Sequence, residues 1–69
     1  MAYKSTIITE REGKWFVSRS LELGVVSQGR TVEEAEKNIK EAVNLYLEDQ
    51  PSRKRQLSRG IPHITWLEV

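Results

Sequence analysis

The sequence predicts an α+β fold in which an antiparallel sheet of order βββαβ carries one packed helix. Three observations lead there. Residues 3–9, 15–19 and 24–28 are short β-branched or aromatic runs separated by polar or glycine-containing breaks. Val32, Ala35, Ile39, Ala42, Val43, Tyr46 and Leu47 then recur at helical spacing. Strands joined by short connections pair with their sequence neighbours, and a single amphipathic helix must bury its stripe against the resulting sheet.

The first strand, YKSTIIT, alternates imperfectly. EREGK, residues 10–14, reads as a polar turn with Gly13 free to take positive φ, so residues 3–9 and 15–19 form a hairpin. Trp15 and Val17 should face one side of the second strand, and Phe16 and Ser18 the other. SLEL leads to the third strand, which Gly24 opens. Gly29 gives the chain freedom to turn into the helix. Thr31 and Glu34 have capping-box spacing: the hydroxyl accepts from an early helix N–H and the carboxylate reaches back. The helix should span 31–49, with Glu33–Lys37 and Glu36–Lys40 pairs on its wet face. Pro51 prevents its continuation. SRKRQLSRG, residues 52–60, reads as a basic loop, and IPHITWLEV as a last strand with Pro62 at its start.

Composition narrows the function. A chain of 69 residues is one domain, 1–69, and buries only about 60% of its unfolded surface. Domains of this size tend to need a staple. There is no cysteine for a disulfide, and the single histidine, His63, lacks the companions of a zinc site. No metal or cofactor is expected. Association with another copy is the remaining staple, and a homodimer is expected. The net charge of +1 is not that of a general nucleic-acid binder. No stretch resembles a signal peptide or membrane span, so a soluble, cytoplasmic protein is expected.

Catalysis is not expected. His63 has no nearby nucleophile or paired carboxylate. The strands carry no acidic cluster that could hold magnesium for nuclease chemistry. Two sets of residues are candidates for binding. Arg53, Lys54 and Arg55, with Arg59, could meet phosphates or an acidic protein, although no aromatic residue is interleaved for base stacking. Trp15, Phe16 and Trp66 should supply mostly core. Phe16 with Ile8, or Leu67 with Val69, could instead cover the sheet face that one helix cannot reach.

The run Gln28-Gly29-x-Thr31-x-Glu33-Glu34-Ala35, followed by Asn38, Lys40-Glu41-Ala42 and Leu45-Tyr46-Leu47-Glu48, resembles the signature of the HicB-type antitoxin family. Gly13-x-Trp15-x-Val17 and Leu21 to Val26 match its upstream pattern more loosely. Two positions depart from it. Leu23 stands where the family usually has proline before Gly24, and Arg30 where it usually has an acid. The resemblance implies a partial ribonuclease-H-like fold and a non-catalytic protein that masks a small HicA-type toxin, a messenger-RNA-cleaving enzyme. It also implies that this chain, ending in its last strand, lacks the DNA-binding domain many members add. The alternative is a nucleic-acid-binding module using the basic 53–59 segment.

Overall fold

A computed structural model describes residues 4–58 and 64–68. Three strands, β1 (Ile7–Glu12), β2 (Trp15–Ser20) and β3 (Val26–Gly29), form an antiparallel sheet in sequence order. One helix, α1 (Val32–Asp49), follows, and a 3₁₀ turn, η1 (Pro51–Ser58), packs against it. The class is α+β, as the sequence indicates.

β1 runs further into the polar stretch than the sequence suggests. Glu10, Arg11 and Glu12 pair with Val17, Phe16 and Trp15, which leaves Gly13 and Lys14 as a two-residue loop. Gly13 has φ +63° and Lys14 does not share that sign, the φ pattern of a type II′ turn. Such a turn matches the twist of the flanking strands and pulls the charged residues into the ladder. Between β2 and β3 the chain reverses at Gly24, φ +72°, where Ser20 N–H donates to the Val25 carbonyl and Gly24 N–H to that of Ser20.

The helix lies across the face carrying Phe16, Ser18, Ser20, Ser27 and Gly29. Small side chains there let it come close. A Cβ on Gly29 would lie 2.5 Å from the Ala35 nitrogen and 2.8 Å from the Glu34 carbonyl carbon. Gly29 does not adopt positive φ, so what excludes a side chain there is space and not the turn conformation the sequence suggests. Ala35 and Ile39 are fully buried at this contact. Ser18 and Ser20 are buried with them. The Ser18 hydroxyl is satisfied by Thr9 Oγ1 at 2.7 Å.

Thr31 is the N-cap, in extended conformation, and its Oγ1 accepts from Glu34 N–H at 3.0 Å. The Glu34 carboxylate accepts from Arg30 N–H at 3.4 Å, one residue further back than a capping box places it. At the other end Gln50 donates to the Tyr46 carbonyl, and the following proline keeps Gln50 out of the helical region.

A second apolar cluster forms at that end. Leu23, Leu47 and Leu57 are buried together, with Val25, Val43 and Tyr46 against them. The described part of the segment expected as a basic loop, residues 52–58, is therefore in a 3₁₀ turn with Leu57 buried, and residues 59–60 lie outside the described residues. Little of the aromatic mass is core: Trp15 is 39% exposed and Trp66 96% exposed, whereas Phe16 is half-buried. The expected last strand falls partly outside the described residues. Its described part, residues 64–68, is not in a strand and is exposed throughout. Strand conformation needs a ladder partner, and these residues have none among the described residues.

Gly29→Ala should cost about 1–3 kcal/mol, because backbone and not a flexible side-chain tip must give way. Thr31→Ala should cost about 0.5–2 kcal/mol through the lost cap. Urea midpoints at unchanged slope measure both. A Gly29→Ala protein as stable as the parent would disprove the close helix–sheet contact.

Candidate interaction surface

The register sets Ile8, Glu10 and Glu12 on the same sheet face as Trp15, Val17 and Arg19 and as Val26 and Gln28. This is the face away from the helix. Its centre is apolar: Ile8 and Val17 are half-buried and Val26 is 59% exposed. Arg19 and Glu10 form an ion pair across it at 3.4 Å. Both are largely exposed, so the pair adds little stability and chiefly marks a polar border. At the hairpin end the Arg30 guanidinium lies 5.5 Å from the Trp15 ring centroid. That is a cation–π distance, and it places a positive charge beside the exposed indole.

Phe16 is on the opposite face, in register with Gly29 under the helix. The expectation that Phe16 joins Ile8 on an uncovered face is thus corrected by strand alternation: the two residues point to opposite sides. The basic residues Arg53, Lys54 and Arg55 belong to η1, against the helix, and not to the sheet. Arg53 lies over the Tyr46 ring at 5.8 Å, with its Nε enclosed and unpaired. The sequence candidates therefore divide among three places: Trp15 on the open face, Phe16 beneath the helix, and the cations on η1. Gly24 and Gly29 shape the turn and the helix contact, and Thr31 and Glu34 the helix start.

Sequence reasoning overlooked a polar clip at the other end of the hairpin. Glu22 Oε1 accepts from Thr6 N–H at 2.8 Å and from the Ser5 hydroxyl at 2.9 Å. Ser5 Oγ lies 2.6 Å from Ser20 Oγ, which accepts from Leu23 N–H. Each hydroxyl has one proton, and Ser5 gives its proton to the carboxylate. Ser20 must then donate to Ser5, so the chain of bonds has one direction. Burial pushes the Glu22 carboxyl upward, but hydrogen bonds from Thr6 and Ser5 outweigh it and hold the group below its ordinary value. An acid between two leucines in SLEL was the available signal. Asn38 was likewise visible in the motif: its amide donates to the Gln28 carbonyl at 2.8 Å and ties α1 to the outer side of β3.

A groove of about 470 Å³ opens between β1 and the helix, floored by Ile7, Ile39 and Val43 and bordered by Ser5, Glu36, Lys40 and Asn44. Among the described residues no three of His, Cys, Asp or Glu gather to hold a metal ion. Among them, too, no helix is long and apolar enough to cross a membrane.

The chain is similar to a UPF0150 protein of Helicobacter pylori strain J99. The two are 44% identical over 45 residues, which is 65% of this chain and 62% of that protein. The chain thus matches less than two thirds of its relative's length. No family model matches the sequence. No solved structure matches it either.

The clip makes stability depend on pH. A carboxyl with its folded value depressed contributes stability above its unfolded value and loses it as pH falls through the folded one. Urea midpoints should therefore decline on acidification below the ordinary glutamate range, and Glu22→Gln should flatten that decline. Equal slopes in the two proteins would show that Glu22 is not the group responsible.

Proposed function

We propose that this chain is a non-catalytic binding protein of the HicB antitoxin type, which masks the catalytic and RNA-binding surface of a small HicA-type toxin. The observation that carries this reading is the uncovered sheet face. It presents Ile8, Val17 and Val26 between a charged border and the exposed Trp15. An apolar patch with a polar rim and an aromatic anchor is the anatomy of a protein interface. The UPF0150 likeness is compatible with a family related to such antitoxins. Masking also asks for no chemistry from this chain. Arg30, which replaces the family's usual acid, sets a cation over Trp15, so the matching toxin should present a carboxylate at that end.

The alternative, nucleic-acid binding by residues 53–59, has weaker support, because Arg53 is drawn over Tyr46 and away from a ligand. The test uses a purified HicA-type toxin, taken first from a reading frame adjacent to the gene, acting on messenger RNA. The chain should suppress cleavage at equimolar ratio. Val26→Arg, on a half-exposed position, should weaken suppression at least about tenfold. Undiminished cleavage, or full protection by Val26→Arg, would overturn the assignment to this face. Direct retention of the RNA with steep salt dependence would favour the basic segment.

A further inference from the structure

The edge of β1 is unpaired among the described residues, and the hydrogen-bond pattern identifies its outward groups. Leu21 N–H donates to the Thr6 carbonyl, so Thr6, Ile8 and Glu10 bond inward to β2. Ile7, Thr9 and Arg11 then turn their N–H and C=O groups outward. Such an edge is a template for another strand. The same three residues send their side chains to the helix side, where the groove over Ile39 and Val43 adjoins Ile7.

Residues 64–68, ITWLE, have strand composition and no strand. Ile64 is 57% exposed, Trp66 96% and Leu67 84%, a large apolar area for five residues. Among the described residues this segment joins no strand ladder, and the edge of β1 has no strand beside it.

We propose that residues 64–68 of one copy add in parallel to the edge of β1 of a second copy, and that two copies exchange these segments reciprocally. The side chains fit one register. Ile64 beside Ile7 falls over the groove, Trp66 comes beside Thr9, and Glu68 meets Arg11. Among the described residues Arg11 bonds only through its Nε, to the Gly13 carbonyl, which leaves its terminal nitrogens for a carboxylate. The antiparallel direction would set Glu68 beside Ile7 at the groove and lose that match. Reciprocal exchange closes with two-fold symmetry, pairs both edges and supplies the staple that a cysteine-free chain of 69 residues lacks. It uses a different surface from the toxin-masking reading and stands or falls apart from it.

Sedimentation equilibrium of the full chain at micromolar concentrations should give twice the 8.0 kDa chain mass. Thr65→Pro with Trp66→Pro removes a ladder donor in either strand parity. Both residues are exposed, so the fold should survive, checked by circular dichroism, while the dimer dissociates. The deciding measurement is a charge exchange. Arg11→Glu and Glu68→Arg should each weaken the dimer roughly tenfold, since like charges then face each other twice. Mixing the two variants should restore parental affinity, because in the mixed dimer the altered edge meets the altered segment and the native edge meets the native segment, with opposite charges at both. A monomer at the highest concentration, a dimer indifferent to the prolines, or mixing without rescue would each overturn the proposal.

Discussion

The approach of the helix to Gly29 is the contact on which the rest of the structure depends. Backbone meets backbone there, with no room for a methyl group, and the approach fixes the height of α1 above the sheet. That height allows Ala35 and Ile39 to be sealed against a floor of serines. A larger residue at Ser18 or Ser20 would lift the helix, and Leu47 would then lose its place between Leu23 and Leu57. The short serines carry a cost of their own, since their hydroxyls are buried. Thr9 satisfies one and the Ser5–Glu22 chain the other.

Much of this could be read from the sequence because it rests on local rules. The helix begins after Thr31 and ends before Pro51, as capping and proline chemistry demand. The two sides of β2 follow from alternation. What could not be read depends on tertiary distance. The need for glycine at position 29 looked conformational and is steric. The 52–60 stretch reads as a solvated loop because one leucine among cations gives no period, yet Leu57 and the Arg53–Tyr46 contact hold its described part, residues 52–58, against the helix. The aromatic residues looked like core because their size suits a core. Strand pleating places Trp15 on the face the helix leaves bare.

The candidate surface was legible only in outline. A sheet with one helix has an uncovered face, and that follows from counting elements. Its membership follows from register, which the hairpin sets through the length of its loop. Reading EREGK as a five-residue turn ends the first strand before Glu10. The two-residue loop instead carries that strand on to Glu12 and puts Glu10 opposite Val17, within reach of Arg19.

The order of the elements also sets how the chain can reach this structure. β2 packs on β1, β3 on β2 and α1 on β3, and α1 also reaches back over β2 and β1. Pairings between neighbouring elements close short loops, and contacts of that kind form fastest. The cluster of Leu57 with Leu23 closes a longer loop, because it joins the 3₁₀ turn after the helix to the β2–β3 connection. The basic 3₁₀ turn, held across that longer loop, is therefore the piece expected to seat last and to leave first.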